Sequence, residues 1–323
     1  MNYKIRWGIV GPGNIARKFT KDLIQIDDAQ ITAVASRSIG RSKSFADEFH
    51  IDRYYDNYDQ LFNDPNVDIV YIATPHNYHA ELSKAALLAG KAVLSEKPSA
   101  MNKAEIEEVI ELSKKKRLFY MEGLWSRFNP LIQEVYEKVQ SGTFGELKYL
   151  KADFGFFALN RPDDSRVLNP SLGGGSLLDI GIYPVFLAYL MLGKPNKIKT
   201  IPKFYKTGAE VQISIIFDYD NAQAVLYSGF VSETDCTAQI SGTKGRIHID
   251  TRWHEPTTYH QHTSEGSQTI EHDFKGNGFS YEIEEVHRCL KNNLYESNLW
   301  SHQNTLDLIG LLDDIRADAA IEF

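Results

Sequence analysis

Two glycines near the start of the chain have the spacing of a dinucleotide-binding turn. Gly11, Gly13 and Ala16 form a G-x-G-x-x-A pattern that directly follows a short apolar run. In this pattern the first glycine permits a tight turn, the second lets the backbone approach a pyrophosphate, and the small third residue allows close helix–strand packing. The pyrophosphate meets the exposed amides at the start of the next helix, here Asn14 and Ile15. The spacing therefore predicts a nucleotide site, with an ordinary glycine turn as the alternative.

The end of the second apolar run bears on which nucleotide would bind. NAD-dependent enzymes usually place an acidic residue there, which binds the ribose 2′-hydroxyl. This chain has no acid at that point and instead has Ser36, Arg37 and, one turn further, Arg41. Arginines can hold a 2′-phosphate through bidentate, charge-assisted hydrogen bonds. We therefore expect NADP to be preferred, with NAD possible; the alternative is that both arginines are solvated on an exposed loop.

Two later apolar runs also end in polar residues. The run at 92–95 ends in Ser95-Glu96-Lys97-Pro98, and the run before it, at 67–73, leads into the segment 73–79, Ala-Thr-Pro-His-Asn-Tyr-His. Doubly wound parallel sheets bind their ligands at the carboxyl ends of their strands. Both segments are therefore candidates for the same site as the glycine turn.

The first half of the chain has the element pattern that would position these turns. Short β-branched runs alternate with helical stretches, which is typical of βαβ units and a parallel sheet. We expect strands at 6–10, 30–36, 67–73, 92–95 and 119–122, and helices at 15–25, 40–49, 77–89 and 103–116. This pattern predicts a doubly wound, Rossmann-type α/β domain over residues 1–122.

The second half has a different order of predicted helices and strands. Helices are expected at 131–140, 177–191, 281–292 and 302–319, and strands at 197–204, 210–218, 222–230, 234–241, 246–250, 257–263 and 267–273. This pattern predicts an α+β domain over 123–323 with helices and an open, mostly antiparallel sheet. Because an open sheet leaves one face uncovered, we expect a homodimer or a higher homo-oligomer.

Composition excludes several classes of protein. The 323 residues include 35 Lys plus Arg and 43 Asp plus Glu, a net charge of −8, which disfavours a nucleic-acid partner. The two cysteines, Cys236 and Cys289, are far apart, so there is no Cys-x-x-Cys motif and no disulfide framework. The sequence contains no uninterrupted run of about 18 apolar residues, so no membrane span is predicted. His260 and His262 lack a third ligand with convincing spacing, so no metal is expected. We expect a cytoplasmic protein without a membrane partner.

Several of these motifs together resemble the Gfo/Idh/MocA oxidoreductase family. They are the glycine turn, Glu96-Lys97-Pro98 and the segment 173–183, Gly-Gly-Gly-Ser-Leu-Leu-Asp-Ile-Gly-Ile-Tyr. The segment 121–130, Met-Glu-Gly-Leu-Trp-Ser-Arg-Phe-Asn-Pro, is similar to the dimeric dihydrodiol dehydrogenases, also known as D-xylose:NADP dehydrogenases. The resemblance covers essentially the whole chain. It implies a hydride transfer between a nicotinamide and the carbonyl or secondary alcohol of a cyclic diol or sugar.

The resemblance also implies the catalytic residues. Tyr183 would be the acid/base, because a phenol with its ordinary pKa of about 10 can protonate a developing alkoxide. Lys97 would be the cation that lowers that pKa, and Asp179, four residues before Tyr183, would orient the substrate or the lysine. Many relatives carry histidine where this chain has Tyr183, which argues against an inositol or sugar-acid dehydrogenase. Considered without the family, the lysine is a surface residue and the tyrosine a core residue.

Further binding residues follow from the same resemblance. The cofactor would be contacted by Tyr71, Thr74, Pro75, Asn77, His79, Glu96 and Lys97. A substrate wall or apolar pocket would use Trp125, Arg127, Phe128, Phe154, Trp253 and Phe279. The alternative for the aromatic residues is packing, and for His79 it is a capped, partly buried histidine.

Two other functions remain open at this point. One is a non-catalytic regulator that senses NADP with the same fold, which the presence of Lys97 and Tyr183 argues against. The other is a sugar–sugar oxidoreductase that holds its cofactor tightly and would therefore copurify with nucleotide.

Overall fold

The alternating strands and helices of the first half form a six-stranded parallel sheet in the computed structural model, which describes residues 4–322. Its strands are β1 (Ile5–Val10), β2 (Ala29–Ala35), β3 (Arg53–Tyr55), β4 (Ile69–Ile72), β5 (Ala92–Glu96) and β6 (Tyr120–Gly123). They are arranged in the order β3-β2-β1-β4-β5-β6, and all neighbours are parallel. The strand order reverses direction between β1 and β4, where doubly wound sheets bind ligands. The predicted Rossmann sheet is confirmed.

Helices cover both faces of this sheet, so its central strands are buried. They are α1 (Asn14–Leu23), α2 (Ile39–Phe49), α3 (Tyr58–Phe62), α4 (His79–Leu88) and α5 (Lys103–Lys116). Gly90, with φ +83°, follows the C-cap of α4, in keeping with the preference for glycine just beyond a helix end. The three-residue β3 and the five-residue α3 were not predicted, because elements this short show no hydrophobic period.

The second half contains a mixed eight-stranded sheet. Its strands are β7 (Leu147–Gly155), β8 (Lys197–Phe204), β9 (Glu210–Asp218), β10 (Gln223–Gly229), β11 (Ala238–Gly242), β12 (Gly245–Ile249), β13 (Thr258–Thr263) and β14 (Gly266–Glu271). The order is β14-β13-β12-β11-β7-β10-β9-β8, and only the β7–β10 pair is parallel. The predicted mostly antiparallel sheet is confirmed. Strand β7, which holds its centre, was not predicted.

One face of this sheet packs against helices and the other is open. Helix α6 (Pro130–Gln140) and helix α7 (Ile182–Leu192) belong to this half, and a single π-helical turn, Leu177–Gly181, leads into α7. Of the residues that the structure describes, one segment, Pro170–Leu192, is long and apolar enough to cross a bilayer. However, 78% of its most apolar window is buried inside the fold, as expected for a core helix.

The last two helices are divided between the two halves. They are α8 (Ser280–Lys291) and α9 (His302–Ala319). One compact unit comprises the residues up to Phe128 together with Phe274–Leu306, and the other comprises Asn129–Asp273 together with the residues from Asp307. The first unit therefore extends six residues beyond the predicted boundary at 122 and includes α8, which sequence analysis had placed in the second domain.

Buried polar contacts explain why α8 belongs to the first unit. The indole N–H of Trp7 in β1 donates to Nε2 of His287 at 3.0 Å, so Nδ1 of that ring carries the proton and donates to Asp28 at 2.9 Å. The carboxylate of Asp22 in α1 accepts from the backbone N–H of Phe279, just before α8, at 2.9 Å. Such pairings across more than 250 residues leave no local signal in the sequence.

Candidate active site

The glycine turn has the geometry that a pyrophosphate requires. Gly11 has φ +87°, and a Cβ there would lie 2.9 Å from the carbonyl oxygen of Ala73, so another residue would be strained and would clash. A Cβ on Gly13, in contrast, would meet nothing within 4 Å, so the backbone is open to close approach. Gly13 caps α1 without a side-chain hydrogen bond, and Asn14 and Ile15 are exposed in its first turn. These residues fit a dinucleotide.

Two arginines and two tyrosines gather at the end of β2. Arg37 and Arg41 are exposed, and the Arg37 guanidinium carbon lies 5.3 Å from the ring centroid of Tyr78. Burial raises the pKa of Tyr58, and the positive charges of both arginines oppose that rise, which places them near its phenol. The neighbouring Ser36 is only 5% exposed. The result is an exposed cationic group beside aromatic rings, which suits a phosphate on a nucleoside.

His79 holds two strand-end loops together. Its ring is fully buried, with Nε2 2.7 Å from the Thr74 carbonyl oxygen and Nδ1 2.7 Å from that of Pro98. A neutral imidazole has one N–H, so at least one ring nitrogen donates to the carbonyl that it faces. Both nitrogens contact the protein backbone, and the direct contact between His79 and a cofactor stays a prediction. Thr74, Pro75 and Asn77 are half-buried in the loop that it holds.

Lys97 follows a buried carboxyl group. The hydroxyl of Tyr71 donates to Glu96, and the Tyr71 ring stacks on Phe19 with 3.7 Å between centroids. Burial raises the pKa of Glu96, whereas the Tyr71 hydrogen bond and the charge of Lys97 lower it. Tyr71 is fully buried and positions Glu96, and its contact with a cofactor stays a prediction. Lys97 itself is half-buried and precedes Pro98 through a cis peptide bond.

A second buried carboxyl, Glu282 in α8, was not singled out from the sequence. It is 0% exposed, and in the described part of the chain neither of its oxygens has a hydrogen-bond partner. Its Oε2 lies 3.7 Å from where a Cβ on Gly123 would stand, so this glycine leaves room for the carboxyl near the end of β6. Burial, with the charges of Glu96 and Asp22, raises its pKa well above the ordinary 4.5. Its surroundings therefore favour the protonated form of the Glu282 carboxyl.

Replacing Glu282 with glutamine should stabilise the protein increasingly as the pH rises. A raised folded-state pKa gives stability that is complete below about pH 4.5 and is lost as the pH rises towards the folded-state value, by about 1 kcal/mol per pH unit. Glutamine cannot ionise, so the difference in unfolding free energy between the variant and the wild type should widen between about pH 5 and about pH 8. Urea denaturation at both pH values measures it. Glu284→Gln, an exposed change on the same helix, should give a constant difference, and parallel curves for Glu282→Gln would contradict the assignment.

The four substrate residues predicted in the first unit are mostly buried. Trp125 is half-buried and stacks on Phe279, with centroids 5.0 Å apart and planes at 15°. Phe279 is 2% exposed and Phe128 is 1% exposed. Arg127 is 6% exposed, and its Nε donates to the Leu299 carbonyl at 2.9 Å. These contacts show packing for Phe128, Arg127 and Phe279, and the substrate contact of all four residues stays a prediction.

In the second unit, Tyr183 stands at the start of α7 among aromatic rings. Its centroid is 5.8 Å from that of Phe154, which is half-buried, and 5.3 Å from that of His254. Phe154 and His254 stack at 4.2 Å with planes at 21°. Trp253 is fully buried, and its indole N–H donates to the Asp153 carbonyl at 2.8 Å. Its contact with a substrate stays a prediction. The ring beside Tyr183 belongs to the next residue, His254, which the sequence did not single out.

Asp179 lies in the π-helical turn just before α7. Its carboxylate pairs with the Arg166 guanidinium at 3.0 Å, and both side chains are partly exposed. Sequence analysis missed Arg166, because a loop residue 13 positions upstream gives no periodic signal. The turn thus presents a carboxylate that is already held in place, one turn before the phenol of Tyr183.

The histidines on β13 make other contacts. His260 lies 2.9 Å from the Thr269 hydroxyl and 3.1 Å from Asp250, and His262 contacts the Ser267 hydroxyl. Within residues 4–322, no group of three or more His, Cys, Asp or Glu side chains has a metal-binding arrangement.

Comparisons with known proteins match both halves of the chain. The family described as "Oxidoreductase family, NAD-binding Rossmann fold" (GFO_IDH_MocA) matches residues 5–124, and the "GFO/IDH/MocA C-terminal domain" matches residues 132–248. Trans-1,2-dihydrobenzene-1,2-diol dehydrogenase from Mus musculus is 33% identical over 329 residues, covering 99% of this chain and 98% of the relative.

Two solved structures also superimpose over nearly the full chain. One is a 3-ketoreductase from Actinomadura kijaniata in complex with NADP and TDP-benzene, with a TM-score of 0.88 and 25% identity. The other is an aldose–aldose oxidoreductase from Caulobacter crescentus complexed with glycerol, with a TM-score of 0.89 and 25% identity. Each covers 98% of this chain and 98% of its own.

Proposed function

This chain belongs to the Gfo/Idh/MocA oxidoreductase family, and from that premise we propose that it is an NADP-preferring dehydrogenase or reductase of a cyclic diol or sugar. The observation that carries the proposal is the near-full-length similarity to dihydrodiol dehydrogenases, which act on a hydroxyl-bearing ring. When bound, the nicotinamide supplies or accepts the hydride. The residues of the chain bind and orient the reactants and move the proton.

Cofactor binding would use the carboxyl ends of the parallel strands. The turn at Gly11 and Gly13 would hold the pyrophosphate with the first amides of α1. Arg37 and Arg41 would hold the 2′-phosphate, and this is the feature that favours NADP over NAD. The loop carrying Thr74, fastened by His79, would border the ribose and nicotinamide.

Replacing Arg37 with alanine should weaken the use of NADPH much more than that of NADH. A hydrogen bond to a charged group contributes about 1.5–3 kcal/mol, so kcat/KM for NADPH should fall by roughly 10- to 100-fold. The value for NADH should change by less than about threefold, since it lacks the phosphate. Steady-state kinetics with both cofactors measure this. The control is Lys43→Ala, because Lys43 lies on α2, the helix that follows Arg37, and pairs with Asp47 at 2.7 Å. Equal losses for both cofactors would contradict the NADP assignment.

Proton transfer would fall to Tyr183 and Lys97. Tyr183 would give its phenolic proton to the developing alkoxide in reduction and take it back in oxidation. The ammonium of Lys97 would stabilise the phenolate that remains. Asp179, held by Arg166, would orient the hydroxyl-bearing substrate, and Trp125 and Phe154 would contact its ring.

The test is a panel of substrates, with turnover of each compound monitored as the decrease in NADPH absorbance. It should contain cyclic diketones, 1,5-anhydrofructose, an inosose and open-chain sugars. Turnover of a cyclic carbonyl with NADPH is the expected result, and its absence for every member would contradict the proposal. The similarity to an aldose–aldose oxidoreductase favours one second candidate, a sugar–sugar oxidoreductase. That enzyme would copurify with nucleotide and need no added cofactor.

We also propose that the protein is a cytoplasmic homodimer or higher homo-oligomer. The open face of the eight-stranded sheet exposes apolar side chains, with Ile201 67%, Ile216 44% and Val225 38% exposed. Ile216 and Val225 are opposite each other on β9 and β10, so they form a continuous patch that a second copy could cover. Sedimentation equilibrium gives the assembly state directly.

A further inference from the structure

The π-helical turn that carries Asp179 and leads into Tyr183 is hydrogen-bonded to a buried carboxyl group. Glu210, the first residue of β9, is 1% exposed. Its Oε1 accepts from the Ser176 hydroxyl at 2.8 Å, and its Oε2 accepts from the backbone N–H of Leu177 at 2.9 Å. These two donors stand where the π-helical turn begins, so Glu210 fixes the start of the turn.

The end of the same turn packs closely against Ser228 of β10. The Ser228 and Ser176 hydroxyls are 2.9 Å apart, and a Cβ on Gly181 would lie 2.7 Å from the Ser228 hydroxyl oxygen. Each hydroxyl has one hydrogen. Because Ser176 donates to Glu210, Ser228 must donate to Ser176, and the chain of hydrogen bonds runs from Ser228 to the carboxylate.

We propose that Glu210 is a positioning residue for the reaction, because the Glu210–Ser176–Ser228 chain sets the turn that carries Asp179 and leads into α7 at Tyr183. An ionised Glu210 makes two charge-assisted bonds to the turn, which are roughly twice as strong as neutral ones. A protonated Glu210 would donate to Ser176, reverse the chain and loosen its hold on Leu177. The ionised form is therefore the one that holds the catalytic arrangement.

This carboxyl can change charge near neutral pH. Burial raises the pKa of Glu210 to about 7, against the donors at Leu177 and Ser176, which favour the ionised form. Strand β8, which pairs with β9, carries Lys197, Lys199 and Lys203. The other ionisable groups on neighbouring elements are Asp179 with its partner Arg166, Tyr183 on α7 and Tyr227 on β10. None of these is among the main causes of its shift.

The pH dependence of turnover in Glu210→Gln tests the inference. Glutamine resembles the protonated acid, so kcat in the ionised range should fall by roughly three- to tenfold, and the inflection near pH 7 should disappear. KM for NADPH should not change, because Glu210 lies outside the nucleotide-binding unit. The matched control is Glu233→Gln, an exposed change in the same unit, which should keep the wild-type profile. Retention of the inflection in Glu210→Gln would overturn the proposal.

A second variant covers the case in which Glu210→Gln does not fold. Ser228→Ala keeps the Glu210 charge but removes the far end of the chain, so it should lower kcat and leave KM for NADPH unchanged. Wild-type kcat in Ser228→Ala would overturn the role of the chain.

The inference rests on the proposed roles of Asp179 and Tyr183. Thermal unfolding tests the inference separately from the proposed function. The folded-state pKa is raised, so the wild type loses stability as the pH rises from about 4.5 to about 7, and Glu210→Gln does not. The difference in melting temperature between Glu210→Gln and the wild type should therefore increase by roughly 2–5 °C over that pH range. A constant difference would overturn the proposal without any measurement of activity. Full turnover in Tyr183→Phe would instead contradict the proposed role of Tyr183.

Discussion

Replacing Lys97 with methionine should lower turnover by about 10²–10⁴-fold, the range that acid–base catalysis supplies, while NADPH still binds. Methionine keeps the length and the apolar stem of the side chain but removes the charge. Without that charge the phenolate left by proton transfer loses its stabilisation, whereas the glycine turn and the two arginines remain intact. Steady-state kinetics measure kcat, and titration of the protein with NADPH measures cofactor affinity.

Two outcomes would change this assignment. Full turnover in Lys97→Met would remove Lys97 from the mechanism. A loss confined to cofactor affinity would make it a binding residue instead. The control is Lys103→Met, because Lys103 is exposed on α5 and pairs with Glu107 at 3.6 Å. That change removes the same charge from the same unit and should leave kcat unchanged.

The first sheet could be predicted because each of its long strands is a continuous apolar run that is buried on both faces. β4, for example, is buried at all four positions from Ile69 to Ile72. β7 was missed for the opposite reason. It lies within the second sheet, but one of its faces is open, so Tyr149 and Lys151 interrupt its apolar residues, and the exposed Lys148 interrupts them on the other face. Backbone pairing, which composition does not record, makes it a strand.

The candidate site was predictable where the backbone itself is special. Gly11 could be assigned because only glycine suits its positive φ and the nearby carbonyl. The residues that hold the site are different, because each acts on a distant partner. Glu210 lies 34 positions from Ser176, and α8 brings Glu282 to Gly123. Trp253 and His254 show the limit of pattern analysis: adjacent aromatic residues are equivalent in the sequence, and only the fold decides which one faces Tyr183.

Replacing Tyr183 with phenylalanine should also lower turnover by about 10²–10⁴-fold, because it removes the only atom that could carry the proton and leaves the ring in place. Tyr183 is 6% exposed, and phenylalanine keeps its contacts with Phe154 and His254. The fold and cofactor affinity should therefore be preserved. The measurements are kcat, NADPH affinity and the pH profile, which should lose the limb that belongs to the phenol.

Tyr189→Phe is the matched control for this change. Tyr189 lies on the same helix, and its hydroxyl donates to Asp307 at 2.9 Å. Its loss should therefore cost about 1–3 kcal/mol of stability and leave kcat unchanged. The two substitutions on this helix should therefore have different effects. Loss of the Tyr183 hydroxyl should lower turnover without a loss of stability, and loss of the Tyr189 hydroxyl should lower stability without a loss of turnover. If Tyr183→Phe kept its turnover, or lost it only in proportion to unfolding, the proton would have to come from another group, and His254, whose ring lies beside Tyr183, would be the first to test.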